Sequence, residues 1–262
     1  MSQRSLTEGL TWGLVEQSVL HRLLVISPHL DDAVLSAGEL IASYPGSAVV
    51  TVFAGRPPRY PAKPTAWDAA GGFGSGDDVV AARRKEDSGA LDVLGASAIW
   101  LDFVDHQYLG TRERPRAADI APALIEVVKS MRPTAVFMPM GIANPDHVVT
   151  HEAGLMVRAG LDGRASAPQW FCYQDAGYSH LPGLLAWRIS RLMRSSAWPT
   201  PPVIPVRPDP VRKRAAVANY RSQLPPLRAE HGLDERLAAN VPEQLWHLAP
   251  PPKGWERLAW DL

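Results

Sequence analysis

Short apolar runs recur along the chain, each followed by a polar cluster and then by a longer stretch with helical spacing. Runs near 22–27, 48–54, 98–103, 135–139 and 169–173 have strand length, and Leu23-Leu24-Val25-Ile26 carries no polar alternation at all. Uninterrupted apolar strands are buried on both faces, as the strands of a parallel sheet are. Helical patterns fall near 33–43, 78–94, 117–131, 147–160 and 209–222, each bounded by Gly, Pro or a polar cluster. Strand and helix therefore alternate, which predicts an α/β fold: a Rossmann-like, mostly parallel sheet flanked by helices. Residues 1–262 read as a single domain, since this length with 46% hydrophobic residues supports one substantial core. Two segments fit neither pattern. Residues 55–77 form a Pro- and Gly-rich connection of the length used for lids and binding loops. Residues 177–208 read as a short amphipathic helix and a Pro-rich crossing, with Trp187 and Leu192 as core or dimer contacts, which leaves a homo-oligomer open.

The first apolar run ends in Ser27-Pro28-His29-Leu30-Asp31-Asp32. An open α/β sheet places its site outside the carboxyl ends of its strands, and packing alone gives no reason for an imidazole and two adjacent carboxylates there. Neighbouring negative charges repel, and a buried carboxylate must be paired or bind a cation. His with Asp suits Zn²⁺, although another divalent metal is compatible, and a catalytic zinc takes three protein ligands and leaves a position for water. The third ligand is sought in Asn144-Pro145-Asp146-His147-Val148-Val149-Thr150-His151-Glu152, just past the run at 135–139.

Structural roles compete at each position. His29 can be a buried histidine satisfied by a carbonyl. Asp32 or Asp31 can cap the helix beginning near Ala33, and Asp146 can cap the helix running from His147 toward Ala159. His151 lies four residues after His147 on the same helical face, a known zinc spacing, but reads better as a histidine supporting the ligands from behind or lying on the helix face. Arg83 and Glu86 can pair on one face of their helix, while Arg84, Lys85 and Asp87 read as its solvated face. Cys172, the lone cysteine, falls inside a strand-like run and reads as a small buried residue.

The two polar segments together resemble the PIG-L/LmbE family of zinc-dependent N-acetylglucosaminyl deacetylases, whose signatures are "PHxDD" and a later "HPDH"; here they read "PHLDD" and "NPDH". Further similarity lies in "RRKEDSGALDVLG" at 83–95, "FVDH" at 103–106, "YQDAGY" at 173–178, "KRAAVANYRSQ" at 213–223 and "PEQLW" at 242–246. The resemblance spans roughly residues 20 to 250 and implies an LmbE-like fold. It also implies that His29, Asp32 and His147 hold the metal, that Asp31 is the general base, and that Arg83 and Asp105 hold substrate. The departure is Asn144, in place of a family His that stabilises the oxyanion or protonates the leaving amine. Asn donates a hydrogen bond but cannot act as an acid. Asp31, after serving as base, or His106, His151 or His180 are the candidates for the missing proton.

The expected reaction is hydrolysis of an N-acetyl group on an amino sugar or a glycoconjugate, with Asp31 deprotonating a metal-activated water. An amidase acting on a non-sugar acyl amine and a non-catalytic metal- or sugar-binding relative are the alternatives. Trp67 or Phe73 is placed to stack on a sugar ring or to tack its loop to the domain. No Gly-x-Ser-x-Gly elbow and no Gly-x-Gly-x-x-Gly turn after the first strand occur, which disfavours a serine hydrolase and a dinucleotide cofactor. The 27 basic and 27 acidic side chains cancel without a like-charge run, so nucleic acid is not an expected partner. No run approaches a membrane span, and Arg4, Glu8 and Glu16 interrupt the apolar positions of the first twenty residues. With a single cysteine, the expectation is a cytoplasmic protein.

Overall fold

Seven strands form one sheet among the described residues, in the spatial order β3 (Ser97–Trp100), β2 (Ala48–Thr51), β1 (Leu23–Ser27), β4 (Ala135–Pro139), β5 (Gln169–Tyr173), β7 (Leu245–Ala249) and β6 (Trp198–Thr200). The computed structural model describes residues 13–164, 166–234 and 242–251; the positions of Arg4 and Glu8 lie outside the described residues. Strands β1 to β5 are parallel, as the apolar runs predict. Two strands the sequence pattern does not announce complete one edge: β7 runs antiparallel to β5, and β6 antiparallel to β7.

Alternate residues of each buried strand feed opposite faces, because side chains in a strand have a period of two. Leu23, Val25, Phe137, Phe171 and Tyr173 join one core with helix α1 (Asp32–Ser43), helix α3 (Val79–Leu94) and helix α7 (Pro210–Val217). Leu24, Ile26, Val136, Met138 and Cys172 join the other with helix α4 (Ala117–Met131) and helix α5 (Pro145–Leu161). Cys172 is fully buried, and burial pushes its thiol pKa up, so it behaves as an inert apolar residue.

Three smaller helices follow among the described residues. The 55–77 connection contains α2 (Ala66–Ala70), the amphipathic stretch after residue 177 forms α6 (Leu184–Arg194), and the helix expected over 209–222 is shorter, ending with α7 at Val217, after which a further helix, α8 (Leu224–His231), forms. Leu192 packs in the core, but Trp187 is 47% exposed, with the guanidinium groups of Arg188 and Arg191 each 5.1 Å from its ring. No helix among the described residues is long and apolar enough to cross a membrane.

The sheet order fixes where a site can form. The chain moves outward from β1 to β2 and β3, then returns to place β4 against the other side of β1. At such a switch the connections leaving two adjacent strands diverge and open a crevice at their carboxyl ends. The segments beginning at Pro28 and at Met140 leave β1 and β4 at that crevice.

Candidate active site

Neither Asp31 nor Asp32 is consumed in starting α1. Ser27 starts the helix instead, because its hydroxyl donates to the His29 carbonyl at 2.7 Å and accepts the Ala33 N–H at 3.0 Å, while Asp31 makes no side-chain capping bond. Both carboxylates are thereby left for other partners. Asp31 and Asp32 reach the wall of a cavity of about 340 Å³ that also exposes His29, Asp105, His106, Asn144, His147 and Tyr178.

The segment after β4 is shaped by its backbone. Gly141 has φ of +76° and Ala143 of +63°, so the chain doubles back before α5 begins. A Cβ on Gly141 would lie 2.5 Å from the Cβ of His151, so glycine is required by contact as well as by φ. Asn144 is the N-cap of α5, its side-chain oxygen accepting the Asp146 N–H at 2.8 Å, and Pro145 occupies the first turn, where its missing N–H costs nothing. Asp146 is therefore not the cap. Starting the helix there turns His147, 2% exposed, toward β1.

Three donor atoms converge. His29 Nδ1 and His147 Nε2 each lie 3.1 Å from Asp32 Oδ2, and ligand atoms of the three residues all fall within 4.8 Å of one another. The opposite nitrogen of each imidazole meets a carboxylate: His29 Nε2 is 3.1 Å from Asp146 Oδ2, and His147 Nδ1 is 2.6 Å from Asp175 Oδ1. That bracing is the usual support for metal-binding histidines, since it fixes ring orientation and tautomer. The donor set and its bracing fit a zinc ion held by His29, Asp32 and His147. Asp175 is buried and its second oxygen accepts the Gly141 N–H at 3.0 Å, so one carboxylate locks both His147 and the loop that delivers it.

The electrostatics favour positive charge at this point. Burial opposes protonation of His147, but the charge of Asp32 and hydrogen bonds to Asp175 and Asp32 outweigh it and push the pKa up to about 9. Burial likewise opposes protonation of His29, and its bonds to Asp146 and Asp32 with the charge of Asp105 hold it well above the ordinary value. Burial would raise Asp32, yet the charge and hydrogen bond of His147 and the contact with His29 keep it far below the usual carboxylate range. Asp31 differs: burial, reinforced by the neighbouring charge of Asp32, pushes it up to about 7. Two adjacent carboxylates are thus held in different roles, one as an ionised partner of the imidazoles and one ready to accept a proton near neutrality.

Other residues singled out from the sequence find mixed places. Asp105 stands on the cavity wall, its oxygens accepting from the backbone and side-chain N–H of Gln107, both at 2.9 Å. Arg83 does not line the cavity. It is buried against Asp68, 2.9 Å away, under the ring of Phe73, and the expected pair with Glu86 does not form, because Glu86 accepts from Ser222 instead. Asp87 is not solvated: it is buried and accepts from Trp100 Nε1 and Tyr220 Oη, each at 2.8 Å. Among the described residues a second cluster, His29, Asp105, His106 and Asp146, also brings donor atoms together, and His151 belongs to neither it nor the first; it bonds the Pro139 carbonyl at 2.9 Å, and burial with the nearby charge of Arg188 presses its pKa down to about 3. Of the candidate proton donors, His106 lies on the cavity wall with Nδ1 3.0 Å from Asp146, and its bonds to Asp105 and Asp146 push its pKa up to about 9. His180 is exposed at the surface. Trp67 does line the cavity, its indole N–H bonded to Gln223 at 2.7 Å, and the sequence pattern does not single out His231, which faces both Trp67 and Tyr178. Asp175 is likewise unmarked by the pattern, although a carboxylate directly after an apolar strand is the same signal that marks Asp31.

Two histidines and a carboxylate able to hold a cation, with a further carboxylate beside them at the switch point of a parallel α/β sheet, have the arrangement of a metal-dependent hydrolase. The chain belongs to the PIG-L family, described as GlcNAc-PI de-N-acetylase, whose model matches residues 24–157 and so contains His29, Asp31, Asp32 and His147. Membership makes it a metal-dependent N-deacetylase, and zinc is the metal. Among solved structures, a triple mutant of a deacetylase from the teicoplanin biosynthetic pathway is 29% identical, with a TM-score of 0.69, over 89% of this chain and 100% of that one. The A40926 pseudoaglycone deacetylase Dbv21 is 28% identical with a TM-score of 0.65, over 88% and 96%. The zinc-inhibited form of the teicoplanin deacetylase Orf2 is 26% identical with a TM-score of 0.69, over 89% and 100%. No curated protein sequence matches the chain significantly.

Proposed function

We propose that this protein removes the acetyl group from an N-acetylated amino sugar or a small glycoconjugate carrying one, with His29, Asp32 and His147 as zinc ligands and Asp31 as the base. The observation that carries this reading is the meeting of His29 Nδ1 and His147 Nε2 on Asp32 Oδ2, each at 3.1 Å, with Asp31 on the same cavity wall. Trp67, Tyr178 and His231 supply aromatic edges and faces at that wall, a surface suited to the apolar face of a pyranose. The structural relatives, a deacetylase of the teicoplanin biosynthetic pathway and the A40926 pseudoaglycone deacetylase, favour a glycoconjugate over a non-sugar acyl amine.

Zinc held by the three ligands supplies Lewis acidity to the attacking water and the acyl oxygen. Asp31, buried and not needed as a helix cap, takes a proton from that water and later returns it to the amine nitrogen as the C–N bond breaks. Asp146 and Asp175 hold the imidazoles in place. Asp105 is placed to accept a sugar hydroxyl, and Asn144 contributes through hydrogen bonds alone. Arg83 serves from behind the wall, where its pairing with Asp68 anchors the loop that carries Trp67.

The test is zinc content measured together with acetate release from N-acetylglucosamine and its glycosides, before and after chelation. About one zinc per chain and chelator-sensitive release are expected. Asp31→Asn should keep the zinc and lose about 10²- to 10⁴-fold in turnover, the usual contribution of a positioned acid–base group; His147→Ala should lose the zinc. Full turnover in Asp31→Asn would remove Asp31 from the role of base.

A further inference from the structure

Asn144 cannot protonate anything, yet its hydrogen bonds determine what its neighbour does. Its side-chain oxygen is committed to the Asp146 N–H at 2.8 Å. That contact settles the orientation of the amide, because an NH2 group there would face another donor. The amide NH2 therefore points the other way, donating to the hydroxyl oxygen of Tyr178 at 3.2 Å. A phenol that accepts at its oxygen must direct its own hydrogen elsewhere. Tyr178 Oη has no acceptor among the described residues, and the residue lies on the wall of the cavity shared by Asp31, Asp32 and His29. Its ring stands edge-on to the zinc ligand His147 at 5.2 Å and edge-on to His231 at 5.2 Å, so it is held on both sides.

We propose that the Tyr178 hydroxyl, aimed by Asn144, is the donor that stabilises the oxyanion formed when the amide is attacked. The inference rests on the deacetylase reading above. Water adds to the acyl carbon, its proton passes to Asp31, and the carbonyl π pair moves onto the acyl oxygen. Tyr178 donates a hydrogen bond to that oxygen without transferring its proton. The pair then returns to re-form the carbonyl, the C–N bond breaks, and the amine leaves with the proton held by Asp31. Asn144 is a positioning residue in this scheme, and the chain recovers through a neutral phenol the stabilisation that the family obtains from an imidazole.

Removing an oxyanion donor typically costs about 10²- to 10³-fold in kcat. On the zinc-loaded full chain, Tyr178→Phe should show that loss against an N-acetylglucosamine glycoside, with KM and zinc content unchanged. The loss should shrink at least about tenfold for the N-trifluoroacetyl analogue, whose oxyanion needs less help, a dependence that a merely structural role would not produce. Asn144→Asp keeps the helix cap but draws the Tyr178 hydrogen toward its own carboxylate, so kcat should fall and the double variant should be no worse than the poorer single one. Acetohydroxamate, bound to the zinc-loaded protein and measured by calorimetry, supplies a readout independent of turnover. Its Kd should rise about tenfold in Tyr178→Phe, as expected for one lost hydrogen bond to a charged group. Equal Kd in wild type and Tyr178→Phe overturns the proposal. Absence of acetate release from wild type would overturn the deacetylase reading instead, and the hydroxamate comparison would still decide the role of Tyr178.

Discussion

Asp175 shows how much of the site lies behind the ligands. Its carboxylate does not line the cavity, but it fixes the His147 ring at 2.6 Å and the Gly141 amide at 3.0 Å with its two oxygens. Outer carboxylates of this kind typically carry about 10- to 100-fold in metal affinity. Asp175→Asn should weaken zinc binding by that factor, measured by competition with a chelator of known affinity, and Asp146→Asn should do the same through His29. The proposed ligands could be picked out because an imidazole and carboxylates at a strand tip have no packing rationale, and the second strand tip narrowed the search for their partner. Asp146 misled, since a residue just ahead of a helical pattern reads as a cap, and only the fold brings it against His29 from 117 positions away. Arg83 misled for the same reason: its partner Asp68 sits on α2, inside a connection whose path has no signature, so the guanidinium looked available for substrate when it is buried.

At the scale of elements, two short connections do the positioning, and each depends on one small residue. Ser27 caps α1 through the Ala33 N–H and holds the His29 carbonyl, so Ser27→Ala should cost about 0.5–2 kcal/mol, the usual worth of such a cap, in urea unfolding. Zinc affinity should fall with it, since His29 loses its anchor. Gly141→Ala should be worse, because a left-handed backbone and a contact 2.5 Å from the His151 Cβ both oppose the added methyl; a loss above about 1–3 kcal/mol is expected. The parallel strands and their helices were readable because continuous apolar runs and 3.6-residue spacing are local properties. The antiparallel side was not: β6 has three residues, one of them Pro199, and β7, as long as β1, lacks an uninterrupted aliphatic run because Trp246 and His247 stand in its middle. Strands of that kind are defined by what they pair with, which sequence alone does not supply.

For the whole molecule, the decisive feature is that the proposed ligands come from both sides of the switch point. His29 and Asp32 follow β1 while His147 follows β4, so a bound zinc ties together the two connections that diverge there. A ligand that binds only the folded state stabilises it by RT ln(1 + [L]/Kd), about 2.7 kcal/mol at one hundred times Kd. Chelation should therefore lower Tm by several degrees, and the His147→Ala variant should show no further fall on chelation, both readable by calorimetry.

The same arrangement bears on what happens once the bond is cut. Asp31, Asp32, Asp105 and Glu230 share one cavity, with Asp146 just behind, so carboxylates crowd the place where the amine is formed. The substrate is a neutral amide, but the sugar product carries an ammonium group, and the walls that ignore the first attract the second. The deacetylated sugar should therefore inhibit competitively, with a Ki that rises as ionic strength shortens the reach of those charges, which inhibition kinetics at two salt concentrations would check. Product held more tightly than substrate is the expected mark of walls lined this way.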